Sequence, residues 1–127
     1  MSWSRAAAAE AVAHAIGVAC GETVTVFAKP PQTLNPPAIV VGRPVEVRYS
    51  DFALAVDDAE LPVVCVGAAD GDDTVDQLVA LVRSSFPDPT LGGAVASCTT
   101  SLERNWRNVN IAGIDLLQAE VVLAIRM

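Results

Sequence analysis

The sequence predicts an α+β fold: one mostly antiparallel or mixed, twisted sheet of about four to six strands, with two main helices packed on one face. Three stretches carry that prediction. Leu61 to Ala69 is a short, continuous apolar run bounded by turn residues, as expected for a strand covered on both faces. Val75, Leu78, Val79, Val82 and Phe86 then recur at helical spacing, with Asp76, Gln77 and Arg83 off the stripe. From Leu117 the pattern becomes strict alternation. Leu117, Ala119, Val121, Leu123 and Ile125 face one way, and Gln118, Glu120, Val122, Ala124 and Arg126 the other. The 127 residues suffice for one domain, 1–127, with one core.

Ser4 is placed to cap a helix that reaches Ala19 or Cys20, where Gly21 ends it. Val12, Ile16 and Ala19 give this helix a thin buried stripe, and His14 lies opposite, toward solvent. Glu22 to Ala28 alternates as a strand, with Val24 and Val26 on one face. Lys29 to Pro37 follows with four prolines, Pro30, Pro31, Pro36 and Pro37, which forbid a helix and fix extended or turn geometry. It reads either as a rigid loop that meets a partner, with Leu34 at its centre, or as a connector between strands.

Ala38–Gly42 and Val45–Tyr49 form the next strand or strand pair, broken at Gly42-Arg43-Pro44, with Val45, Val47 and Tyr49 sharing a face. Asp51 to Glu60, carrying Phe52, Leu54 and Val56, fits a loop with either a short helix or a strand. After the central strand comes the turn Asp70–Asp73, with Asp72 and Asp73 in the first turn of the helix, where carboxylates favour unpaired amides. Pro87 and Pro89 stop that helix. Gly92-Gly93 opens a strand from Ala94 to Ser101, polar enough to be an edge or to face a polar interior. Leu102 to Asn110 reads as a polar connection holding Arg104, Trp106, Arg107 and Asn108, and the longest strand runs from about Ile111 to Arg126.

The net charge is −7, and from Asp51 to Asp76 there are eight acidic residues and no Lys or Arg. That balance opposes capture of nucleic acid phosphates and of anionic membranes. No apolar run approaches the ~18 residues that span a bilayer, and the Ala-rich start lacks the pattern of a signal peptide. Cys20, Cys65 and Cys98 are widely spaced among apolar or small neighbours, without a CxxC or a Cys/His cluster, and read as buried reduced thiols. Val66 to Thr74 occupies the strand-to-helix position of phosphate loops, but lacks their Lys-Ser/Thr and glycine spacing, and its aspartates would repel phosphate. Those aspartates do not follow a calcium-loop pattern, and helix capping accounts for two of them. Cys65 or Cys98 with His14 is the one available nucleophile–base pair, and both cysteines lie mid-strand. No catalytic, cofactor-binding or metal-binding residue is assigned.

The element order resembles the tail terminator proteins of long-tailed, non-contractile bacteriophages. The resemblance rests on the Ala-rich opening helix, the strands around Val24–Phe27 and Ile39–Gly42, and the strand–helix unit Val63–Phe86. It ends on Asn110 to Leu123, a polar turn, Ile-x-Gly, then a long alternating strand, and so covers nearly the whole chain. It implies a structural virion protein, not an enzyme, assembled in the host cytoplasm as a hexameric ring at the head–tail junction. Such a ring docks on the major tail tube protein, stops tube polymerisation and faces the head–tail connector protein, and DNA slides through it without specific binding. Neighbouring neck and minor tail proteins share the fold and are the alternative. A small cytosolic Cys-dependent enzyme or ligand-binding domain built on Cys65–Asp73, or a bacterial binding module, are the others. Partner contacts are expected at Pro30, Pro31, Leu34, Pro36 and Pro37 and at Arg104, Trp106, Arg107 and Asn108. The alternative for Trp106 is a ring folded back over its own sheet.

Overall fold

The computed structural model describes residues 4–21, 24–29, 31, 34–48, 57–111 and 113–126. Helix α1 is Arg5–Cys20; Ser4 caps it, its hydroxyl accepting from the Ala7 N–H at 3.0 Å, and Gly21 ends it with φ +67°. Strands β1 (Thr25–Phe27), β2 (Ala38–Val41), β3 (Glu46–Arg48) and β4 (Asp58–Ala68) follow, then helix α2 (Asp72–Arg83) and the two long strands β5 (Ser97–Ile111) and β6 (Ile114–Arg126). The six strands form one mixed, open sheet in the order β1-β2-β4-β6-β5, with β3 also alongside β4. The α+β expectation with two helices agrees with this architecture.

The centre of the sheet is β4, paired with β6 along its whole length from Asp58↔Arg126 to Ala68↔Leu116. On its other side β2 and β3 run in one line, both antiparallel to it. They are one strand path interrupted over Gly42–Val45, which resolves the choice left open by Gly42-Arg43-Pro44. The interruption suits Pro62, an otherwise awkward residue mid-sheet. Its carbonyl accepts from the Gly42 N–H at 2.8 Å, so its missing N–H faces the break. A Cβ on Gly42 would come within 2.8 Å of the Pro62 ring, so only glycine permits this approach. Gly67 answers a similar need where β4 meets α2, because a Cβ there would lie 2.9 Å from Val75 Cγ2.

The core lies between the helices and one sheet face. Ala9, Val12, Ile16 and Cys20 of α1 and Val75, Leu78, Val79 and Val82 of α2 pack on Ile39, Val41, Leu61, Val63, Cys65, Ala119, Val121 and Leu123. Alternation puts Ala38, Val66, Leu116 and Val122 on the other face, and these are buried too. On β4 the coverage of this second face is partial, with Pro62 and Val64 half-buried.

Several expectations are corrected. Leu102–Asn110 is not a connection but the middle of β5; cross-strand partners on β6 hold a sequence too polar to read as a strand. That strand begins at Ser97 rather than Ala94, because Leu91, Gly92 and Gly93 all take left-handed backbone in a turn that runs on before it. Ile111 ends β5, and β6 starts at Ile114, so the longest strand is β5, with 15 residues. Ala19 is exposed in the last turn of α1, and Ala8, Ala9 and Cys20 complete the stripe instead. Helix α2 stops at Arg83, three residues before Phe86, which packs half-buried against the core from the following loop. Asp72 and Asp73 lie in its first turn, yet neither caps it: the cap is Gly71, without a side-chain bond. Val45 falls outside β3 and is 68% exposed, separated from half-buried Val47. Glu22, Tyr49 and the residues from Asp51 to Val56, with Phe52 and Leu54, lie outside the described residues.

Candidate functional site

The long β5–β6 hairpin carries the most distinctive surface. Among the described residues β5 pairs with β6 alone and so forms an edge of the sheet, and nearly all of its residues from Ser101 to Ile111 are exposed. Two register shifts, between Thr100 and Leu102 and between Arg104 and Arg107, bend it, and Asn105 takes φ +59° inside the second. Asparagine accepts this backbone more readily than most residues. Bulges of this kind interrupt an edge that would otherwise template further strands.

The bulge holds its side chains in fixed places. Glu120 of β6 receives Arg104 Nε and Nη2 on one carboxylate oxygen, at 3.2 and 2.9 Å, and Asn105 Nδ2 on the other, at 3.0 Å. Trp106 donates its indole N–H to Glu103 at 2.8 Å and remains 39% exposed. Arg107 is exposed and, among the described residues, has no ion pair or side-chain hydrogen bond. Leu102 (46% exposed), Ile111 and Ile114 add apolar surface along the same hairpin. At its tip Asn110 Oδ1 accepts from the Gly113 N–H at 3.1 Å while Nδ2 donates to Asp115 at 2.9 Å.

Arg104, Trp106, Arg107 and Asn108 are thus brought together on one edge. The proline segment is not part of that cluster. It joins β1 to β2 at the opposite side of the sheet, with Pro31, Leu34 and Pro36 half-buried and Pro37 exposed, while Pro30 lies outside the described residues. Because β1 and β2 are parallel, their link must cross over rather than turn back. Glu103, Asn105 and Glu120 are the residues that sequence reasoning missed. Their roles depend on cross-strand register, which a polar connection does not possess.

Elsewhere among the described residues, Cys20, Cys65 and Cys98 are buried thiols. Burial pushes the Cys65 thiol up to about 12, with Cys20 and Glu103 adding to the rise, and burial alone pushes Cys98 to about 12. Such thiols stay protonated and enclosed, the opposite of an activated nucleophile. His14 is exposed on α1. No group of three or more His, Cys, Asp or Glu suited to a metal occurs among the described residues. A cleft of about 370 Å³ lies where β3, β4, β6 and β5 end, lined by Glu46, Arg48, Asp58, Glu60 and Arg126 among others. Its charges are largely used internally, Arg126 pairing with Asp58 at 3.0 Å and Arg48 with Glu46 at 3.3 Å. Among the described residues no helix is long and apolar enough to cross a membrane.

No family model matches the chain, and no curated protein matches it in sequence. By structure it is similar to a chain in the virion of a native gene transfer agent particle, with TM-score 0.58 and 15% identity over 98% of each chain. At that identity the likeness is one of fold, and it extends end to end.

Proposed function

We propose that this chain is a structural protein of a phage-type particle and works as a tail terminator. In this reading it forms a hexameric ring on the last ring of the major tail tube protein, stops tube growth and faces the head–tail connector protein. The observation that carries the reading is the end-to-end fold likeness to a chain of a gene transfer agent virion, at TM-score 0.58. The hairpin edge supports it, since Trp and Arg concentrate binding energy at protein interfaces and Trp106 and Arg107 stand exposed there. The charge of −7 supports a wall past which DNA slides, because each retained phosphate contact would add attraction. The raised thiols favour an assembly role over a cysteine-dependent enzyme. The likeness suits a neighbouring neck or minor tail position equally well, because it is to a particle component and names no station.

The test is Trp106→Ala combined with Arg107→Ala, in a variant that keeps the native circular dichroism, followed in a tail assembly assay. A terminator whose contacts are lost yields overlong tails that fail to join heads. Normal tail length with failed head joining favours a neck position. Unaltered tails and normal joining overturn the role of this edge.

A further inference from the structure

Helix α1 is apolar nearly all the way round. Of its 16 residues only Arg5, Glu10 and His14 are polar. The core side is Ala8, Ala9, Val12, Ile16 and Cys20; the outward side carries Ala7, Ala11 and Val18, with Val18 72% exposed, alongside exposed Glu10 and His14. A helix facing water ordinarily has a polar outer face, and one that is apolar all round is ordinarily covered. Glu10 stands on this outer side and makes no ion pair or side-chain hydrogen bond among the described residues.

The second unpartnered surface lies across the sheet. Helix α1 packs on β1, β2 and α2, whereas β5 is the opposite edge, with Leu102, Trp106 and the unpaired Arg107. Two such surfaces on opposite edges of one chain cannot meet within it, and Glu10 on one and Arg107 on the other are of opposite charge. A head-to-tail contact between copies brings Arg107 to Glu10 and the apolar side chains to α1. Repeated, such a heterologous contact closes into a ring or runs on as a filament. The bulges in β5 further disfavour continuous strand addition, so side chains rather than ladder hydrogen bonds must make the contact.

We propose that the outer face of α1, centred on Glu10, Ala11 and Val18, is the seat for the Leu102–Arg107 edge of a second copy of this chain. The inference rests on the ring reading given above and names the two surfaces that would build it.

The experiment uses the full chain with single cysteines introduced at exposed or half-exposed positions, Ala11→Cys in one variant and Asn108→Cys in another, and a short bis-maleimide reagent. The native thiols are buried and raised, so they give little background. An equal mixture of the two folded variants is expected to cross-link, while neither alone does. A chain carrying both is expected to give a ladder that ends at one closed size. Arg107→Glu should reduce the mixed product about tenfold, and Glu10→Arg in the partner should restore it, as expected for a charge pair contributing one decade of affinity. No mixed product, or products from either single variant alone, overturns the proposal. The virion reading is checked separately by probing purified particles for the protein. Particles that contain it but whose 11–108 pair does not link overturn this contact alone, and particles that lack it overturn the virion role.

Discussion

Glu120 binds Arg104 across the β5–β6 ladder with both Arg104 nitrogens on one carboxylate oxygen, at 3.2 and 2.9 Å, leaving the other oxygen for Asn105. The carboxylate is the more enclosed partner, its side chain 15% exposed against 44% for Arg104. The pair therefore fixes the bulge from which Trp106 and Arg107 are presented. Arg104→Ala is expected to lower stability by about 1 kcal/mol, the upper end for surface pairs, and to lower it less at high salt. Urea unfolding at two ionic strengths measures both, and a salt-independent loss would mean that packing of the arginine stem, not charge, holds the bulge.

Leu78 is 2% exposed and belongs to the stripe by which α2 sits on the sheet. Leu78→Ala is expected to cost about 2–5 kcal/mol, the transfer free energy of the side chain plus the cavity left behind. Val18→Ala, on the exposed outer side of α1, is expected to change monomer stability by no more than about 0.5 kcal/mol. Chemical denaturation of both variants gives the comparison, and a loss below about 1 kcal/mol for Leu78 would show that α2 packs loosely.

The parts of the fold legible in the sequence were those where one periodicity matched one buried face. Ser4, Gly21 and the Val12–Ile16 spacing defined α1, and Leu117 to Ile125 defined the core side of β6, because side chains there are buried in the common core. Strand β5 was illegible for the opposite reason. It is an edge with almost no buried face, so its polar residues carry no alternation, and its conformation is imposed by pairing with β6. The candidate edge was half-legible. Arg104, Trp106, Arg107 and Asn108 were recognisable by residue type, but the Glu103 and Glu120 anchors required the register. The outward face of α1, with Ala7, Ala11 and Val18 beside Glu10 and His14, was not read from the sequence as a surface, and its position opposite β5 came only from the strand order.

Asp88 organises the turn that leads into β5. Its carboxylate accepts from the Thr90 hydroxyl at 2.6 Å, the Thr90 N–H at 3.0 Å and the Gly92 N–H at 2.9 Å. The Thr90 hydroxyl leads these bonds in holding the carboxyl below its ordinary range. A lowered folded value gives stability that is present above the unfolded carboxylate value and is lost as pH falls through the folded one. Asp88→Asn should therefore flatten the acid limb of the stability profile while leaving neutral folding intact. Denaturation midpoints from pH 7 down to pH 2 measure this, and parallel profiles for both proteins would contradict it.

Cys65 gives the opposite sign at the alkaline end. An ordinary thiol titrates near 9.0, and burial raises this one to about 12 in the folded chain. Folded protein therefore keeps a proton that the unfolded chain releases. The resulting stability is complete below the unfolded value and is lost progressively as pH rises from about 9 toward 12, by about 1.4 kcal/mol per pH unit for one thiol. Cys98, raised by burial to about 12, acts in the same direction. The informative quantity is the difference between native protein and Cys65→Ala. That variant should be less stable at pH 7 because it leaves a small cavity, yet its stability should fall less steeply above pH 9. The same measurement bears on function, because an accessible catalytic thiolate would be labelled by iodoacetamide at pH 8 in the native state. Cys65 should instead react only at the rate of unfolding. Fast native labelling at Cys65, together with an unchanged alkaline slope in Cys65→Ala, would return the cysteine-dependent enzyme to consideration.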